Sequence, residues 1–442
     1  MLNGASAFGK QNTTFSEDVW AGSLAQTALK NAVAAGADKV LIIDNAFRAM
    51  VKWGQPIVGS VTTGNVRNRF SSYEAFDRWT KNRLEKYCYE NGFYGIVLND
   101  EPVASYSRNL GEVYKSIKRV AKSLGVDIYV HLNLLPADPS DITMIGGTAG
   151  GSRDAAWKSY LINVIQETQA ERLSIDIYPF MNWGFKTGYY SMLQIFADVC
   201  GERNVKTTLC VQSFASDSLS YREKIGMTEI FYQIYNCLGF GIDNVFFYTY
   251  ISEGKDDCSF VNTDGTKTEL YGYAKSFLSE ALSLTDRIGK CSFSGAKLFS
   301  YTRDFPNSSY LANYFSYDPQ DENSLVFDNS HKFKNLIGVE TDDDLLLVSE
   351  LKGQSGYVYM LQNVMDRYYV TDNKEDGKLT ATVQLNGECK GVIEYYIEIE
   401  QREDGYVCLL KERFVKIVGG KYTRTLSCGD AVFIKPVFDS AI

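Results

Sequence analysis

A chain of 442 residues exceeds what one ordinary core fills, so two domains are expected. A net charge of −9 without a long basic run argues against nucleic acid and anionic membrane as partners. Only two histidines argue against a histidine metal site, and nine scattered cysteines without a CxxC pair favour reduced, buried thiols over a disulfide frame.

In chain order, Met1–Phe8 offers a short strand and Ser16–Ala35 a helical pattern. Clear strands are predicted at Lys39–Asp44, Gly95–Asp100, Asp127–Asn133, Leu173–Pro179, Lys206–Phe214 and Asn244–Tyr250. Each is a continuous apolar run of the kind used by parallel strands covered on both faces. Helical periodicity separates them. Trp157, Tyr160, Leu161, Val164, Ile165 and Thr168 share one helix face, and Tyr221–Leu238 places Ile230, Phe231, Ile234 and Leu238 together. The alternation predicts a (β/α)8 TIM-type barrel or a doubly wound sheet. A barrel needs eight strands, and little chain precedes Lys39. The barrel is therefore expected to be N-terminally incomplete or to begin unusually.

Thr268–Ile288 reads as a last helix. From Cys291 onward the texture changes to short alternating runs: GAKLFSYTR, DLLLVSEL, GYVYMLQN, KLTATVQL, VIEYYIEIE, GYVCLLKE and AVFIKPV. These predict an antiparallel β-sandwich. The expected domains are residues 1–288 and 289–442. No apolar run approaches the ~20 residues of a membrane span. The small, polar neighbourhood of Met1 is not a signal peptide, so a cytoplasmic location is expected; a truncated N-terminus would hide a signal.

The stretch GIVLNDEP, Gly95–Pro102, carries the strongest chemical signal. An apolar run ends in Asn99, Asp100 and Glu101, and Pro102 stops it. Adjacent carboxylates at the end of a buried strand are costly unless they face a polar cleft. A second case is LSIDIYPF, with Asp176 near the strand end. Paired carboxylates on separate strand ends are the equipment of glycoside hydrolysis. Glu101 is the candidate general acid; alternatively it caps the next helix while Asp100 faces the cleft. Asp176 is the candidate second carboxylate, as a catalytic partner or as a group that only hydrogen-bonds sugar hydroxyls; Asp100 is the other candidate for the catalytic partner of Glu101. Asp44, Asn99, His131, Asn133, Tyr178, Gln212 and Tyr250 are the candidate substrate contacts at the strand ends, and Trp183 is a candidate stacking platform. For His131 the alternative is a place in the core, and for Trp183 a loop residue with no role in binding. The set is rich in acids, amides and phenols and poor in metal-type ligands. It suits a neutral polyhydroxylated ligand, with neither metal nor cofactor. No Walker or dinucleotide glycine pattern and no GxSxG elbow is present.

The order strand–DEP, strand–HLNLLP, SIDIYPF, a strand ending VQSF, then YQIYNCLGFGIDNVFFYTY resembles the β-galactosidase-like (family 42-like) glycoside hydrolases. It is most similar to bacterial relatives with DEP after the fourth strand and Q-x-Y-x-x-L-G-x-G before the eighth, here Gln233, Tyr235, Leu238, Gly239 and Gly241. The resemblance spans Val40–Tyr250. It implies a retaining (β/α)8 barrel with an extra β domain, and Glu101 as acid/base, preceded by Asp100 where the family has Asn. It also implies a nucleophilic Glu ending the seventh strand, but the matching stretch Cys210-Val211-Gln212 has no carboxylate. The chain is thus expected to hydrolyse a glycoside by a departure from the family mechanism, or to bind carbohydrate without cleaving it. A barrel kept only as a scaffold is the third reading.

Overall fold

The computed structural model describes residues 13–16, 40–53, 55–59, 69–137, 141–148, 150–182, 184–186, 188–215, 221–222, 224–248, 259–262, 266–299, 327–342, 345–365, 377–402 and 405–438. The chain divides into two compact units: Ser6–Asp176 with Arg203–Lys206, and Ile177–Glu202 with Thr207–Ile442.

The first unit carries a parallel sheet in the order β1 (Thr13–Ser16), β2 (Val40–Ile43), β3 (Phe93–Asp100), β4 (Tyr129–Leu134) and β5 (Arg172–Asp176). The expected strand at Met1–Phe8 lies outside the described residues. A strand instead forms at Thr13–Ser16, four residues with no apolar run to announce it. Ser16 ends this strand, and the rest of the expected Ser16–Ala35 helix lies outside the described residues. Helices α1 (Asn45–Val51), α2 (Tyr73–Leu84), α3 (Ser107–Leu124) and α4 (Arg153–Thr168) connect the strands. Ile96, Leu98, Val130, Leu132, Leu134, Leu173 and Ile175 are buried, each at most 3% exposed. Helix α4 buries Trp157, Tyr160, Leu161, Val164, Ile165 and Thr168, the whole stripe that its periodicity predicts.

In the second unit a short hairpin, β6 (Phe180–Met181) and β7 (Gly184–Phe185), precedes α5 (Tyr189–Glu202). Strand β8 (Lys206–Gln212) then pairs in parallel with β9 (Asn244–Tyr248). The helix expected from Tyr221 starts only at Met227, as α6 (Met227–Gly239), because the extended Gly226 precedes it and its N–H donates to Glu229 Oε2 at 3.0 Å. Helix α7 (Glu269–Ile288) follows. Among the described residues no pairing closes the parallel strands into a barrel.

The remaining strands are antiparallel and form two sheets. One has the order β10 (Cys291–Phe299), β12 (Leu346–Gly353), β13 (Gly356–Asn363), β18 (Ala431–Phe438), β15 (Cys389–Arg402), β16 (Gly405–Lys416). The other is β11 (Leu336–Thr341), β14 (Leu379–Leu385), β17 (Lys421–Leu426). Alternation in β14 puts Leu379, Ala381, Val383 and Leu385 into one core with Val348, Leu361, Val432 and Ile434 of the larger sheet. Among the described residues eight cysteines are free thiols, no helix is long and apolar enough to cross a membrane, and no cluster of three His, Cys, Asp or Glu side chains could hold a metal ion.

Candidate functional site

Strand register decides which side chains share a face. Asp100 of β3 lies opposite Asn133 of β4, and Asn133 opposite Ser174 of β5. Neighbours in a parallel pair point the same way, and alternate residues along a strand share a face. One face of the sheet therefore carries Val97 and Asp100, then Tyr129, His131 and Asn133, then Arg172, Ser174 and Asp176. Hydrogen bonds cross it: Asn133 Nδ2 donates to Asp100 Oδ1 at 2.9 Å, and Ser174 Oγ donates to Asn133 Oδ1 at 3.2 Å. Asn133 and Ser174 are buried, and Asp100 is exposed. The relay fixes the orientation of the Asp100 carboxylate at the strand end.

A bulge sets this arrangement. The β3–β4 register slips between Val97 and Asn99, so one extra residue enters β3. As a result Asn99 pairs with buried Leu132 on the opposite face. Asn99 is fully buried, and its Oδ1 accepts the Asp100 N–H at 2.9 Å.

Glu101 follows the bulged strand in a left-handed conformation, φ 48°. Its N–H donates to Asn133 O at 2.8 Å, and its side chain is exposed. Helix α4 anchors the loops on either side. Tyr160 donates to the carbonyl of Pro102, next to Glu101, and Trp157 Nε1 donates to Leu135 O at 2.9 Å. Burial raises the Tyr160 hydroxyl far above its usual range, and the charge of Glu101 adds to the effect. A left-handed backbone costs an L-residue about 1–2 kcal/mol, whereas glycine takes it freely at an unfolded-state cost of about 0.5–1 kcal/mol. Glu101→Gly is therefore expected to raise stability by about 0.5–1 kcal/mol in urea denaturation, and to lose any activity that needs the carboxyl. A fall in stability would show that the carboxyl, and not the backbone, dominates at this position.

His131 stands deeper on the same face. Its Nδ1 lies 3.0 Å from the Tyr129 hydroxyl, and Arg172 sits 5.5 Å above the Tyr129 ring. Burial holds the His131 imidazole down to about 4; the Asp100 carboxylate opposes this and Arg172 reinforces it. Burial also pushes the Tyr129 phenol up to about 12. A folded pKa below the unfolded value of 6.5 means that the unfolded chain takes up the proton first. The contribution is fully present above pH 6.5 and is lost as pH falls through about 4. Wild type is expected to lose about 3 kcal/mol between those limits that His131→Asn does not lose, measured by urea titrations at several pH values. Parallel curves for the two proteins would contradict this.

Asp44 sits at the end of β2, fully buried. Its carboxylate accepts from Arg83 Nε at 2.9 Å, Arg83 Nη2 at 2.9 Å, Tyr87 Oη at 3.0 Å and the Ala46 N–H at 2.9 Å. It caps α1 and is tied to α2 and the turn after it.

The second unit carries two more of the expected contacts. Tyr178 packs with Phe214, Tyr221 and Tyr248, ring centroids 5.1, 5.9 and 5.9 Å away, and its hydroxyl lies 3.6 Å from Cys210 Sγ. The Gln212 side chain is fully buried and grips Phe180, accepting its N–H at 2.9 Å and donating to its carbonyl at 3.0 Å. Gln233 in turn clamps the Gln212 backbone at 2.8 and 2.9 Å. Arg222 and Glu229, a buried pair at 3.3 Å, close the same knot, with Arg222 4.9 Å above the Phe180 ring. Val211 is fully buried and alternates with Cys210 and Gln212. Trp183 and Tyr250 lie outside the described residues.

Sequence reasoning did not single out Tyr129, Arg172 or Ser174. Their signal is the two-residue period of Tyr129-His131-Asn133 and Arg172-Ser174-Asp176.

No family model matches this chain, and no curated protein matches it. It is similar to solved structures of glycoside hydrolases. One is a GH30 endoxylanase from Clostridium papyrosolvens C71, with 11% identity and TM-score 0.36, covering 97% of this chain and 85% of that one. Another is a GH27 β-L-arabinopyranosidase from Geobacillus stearothermophilus, with 9% identity and TM-score 0.41, covering 94% and 78%. A third is a family 44 xyloglucanase from Paenibacillus polymyxa, with 11% identity and TM-score 0.35, covering 94% and 83%. Likeness at this level transfers neither activity nor substrate to this chain.

Proposed function

We propose that the polar ends of β3, β4 and β5 form a carbohydrate site, and that the chain hydrolyses a glycosidic bond there. The observation that carries this reading is the Ser174–Asn133–Asp100 relay on the face that also bears Asp176. It spends buried polar groups on orienting a carboxylate, which a purely structural strand end has no need to do. Glu101 is the general acid, exposed and held in a strained backbone beside Asp100. Asp176 is the opposing carboxylate, and Asn133 and His131 contact the sugar. Two strand spacings and a two-residue offset put the Asp100 and Asp176 Cα atoms about 12 Å apart. The site belongs to a barrel-like domain, residues 1–288, followed by a β-sandwich accessory domain, residues 289–442.

The second reading is carbohydrate binding without cleavage. It is favoured by the end of β8, where Val211 is buried and the Gln212 side chain is taken up by Phe180, so no carboxylate occupies the place that the β-galactosidase-like pattern gives its nucleophile. Incubation with a panel of aryl glycosides and oligosaccharides, read by released aglycone and reducing ends, separates the two. Turnover by wild type supports the hydrolase. Binding with no turnover across the panel replaces it with the binding reading.

A further inference from the structure

Strand β16 is one edge of the six-stranded sheet. Its register with β15 runs from Gly391–Lys416 to Arg402–Gly405 without a shift. Directly after β16, Ile417 donates its N–H to Lys390 O at 3.3 Å, so the odd-numbered residues face the β15 side. The even-numbered residues therefore turn their N–H and C=O groups outward. Helix α7 covers the first of them: Cys408 N–H donates to Ser276 Oγ at 2.9 Å and Leu410 N–H to Glu280 Oε2 at 2.8 Å. This cover stops near Glu412, whose carboxylate lies 3.8 Å from Arg287 in the last turn of α7. Glu412, Phe414 and Lys416 are exposed, Phe414 by 55%, and among the described residues their outward backbone groups have no partner.

An uncovered edge is a template for another strand, and proteins ordinarily blunt it with charge, proline or a covering element. Here the helix covers the edge at Cys408 and Leu410, and the rest carries Phe414, whose ring lies over Gly391 of β15 and is 55% exposed. The segment is complementary to itself. Two copies laid antiparallel about Phe414 place Phe414 against Phe414 and Glu412 against Lys416 of the second copy, twice over. All three pairs join outward-facing residues, the condition for hydrogen-bonded pairs in an antiparallel ladder. Opposite charges set directly across such a ladder stabilise it, and like charges oppose it.

We propose that residues 412–416 of β16 form a homodimer contact, in which the edge strands of two copies pair antiparallel about Phe414. The contact is small, so the dimer is a concentration-dependent one.

Sedimentation velocity of the full chain over a range of micromolar concentrations tests this. Wild type is expected to shift from monomer to dimer as concentration rises. Glu412→Lys and Lys416→Glu each put like charges across the ladder, and each is expected to weaken the dimer by about tenfold or more. The double variant restores the pairing with the signs exchanged and is expected to regain it. The substituted side chains are exposed, and circular dichroism verifies that each variant is folded. A wild type that stays monomeric, a dimer indifferent to both single changes, or a double variant as weak as the singles would overturn the proposal.

Discussion

If the β3–β5 site hydrolyses glycosides as proposed, Glu101→Gln is expected to lower the rate by roughly 10²–10⁴ on substrates with poor leaving groups, the range for loss of a general acid. The amide keeps the shape and the exposure of the side chain, and Glu101 holds its place through a backbone hydrogen bond to Asn133 that the change does not touch. Affinity should therefore survive while turnover falls. The loss should shrink on aryl glycosides whose leaving groups need little protonation. That leaving-group dependence separates an acid from a residue that merely shapes the loop, since a misplaced loop would slow every substrate alike. Equal losses on activated and unactivated glycosides would count against Glu101 as the proton donor.

Asp44→Ala is expected to lower stability by about 3–5 kcal/mol in urea or guanidinium denaturation. The change removes the buried carboxylate that accepts from Arg83 twice and from the Tyr87 hydroxyl, and it removes the cap of α1. Asp44 is fully buried, and all its acceptor contacts lie within the first unit. A drop below about 1 kcal/mol would show that this network is worth no more than a surface pair. A second readout is carbohydrate affinity of the folded variant, which is expected to be unchanged.

These two residues show what could and could not be read from the sequence. Both were visible as carboxylates at the close of apolar runs, and that much follows from the cost of burying a charge. The partners of Asp44 were not, because Arg83 and Tyr87 lie 39 and 43 residues away and meet it only once α2 packs on the sheet. Strand positions were legible from continuous apolar runs, and His131, Asn133 and Asp176 from their strand ends, yet the same reading passed over Tyr129, Arg172 and Ser174 on the same face. Tyr129, His131 and Asn133 alternate with Val130, Leu132 and Leu134, a period of two inside a run that looks uniformly apolar. The bulge in β3 was also out of reach. In an unbulged strand Val97, Asn99 and Glu101 would share a face, and Asp100 would point the other way. One extra residue reverses this and gives Asp100 to the face of Asn133 and Asp176. Thr13–Ser16 was missed because four residues carry too little pattern to mark a strand.

The direct test of the carbohydrate site is calorimetric titration of wild type and of Asp100→Asn/Asp176→Asn with a panel of neutral oligosaccharides. The expected result is that at least one oligosaccharide binds wild type and that the double variant, folded to the same extent, binds it at least about tenfold more weakly. Binding of equal strength in the two proteins, or none by wild type across the panel, would contradict the assignment of the β3–β5 strand ends as the site.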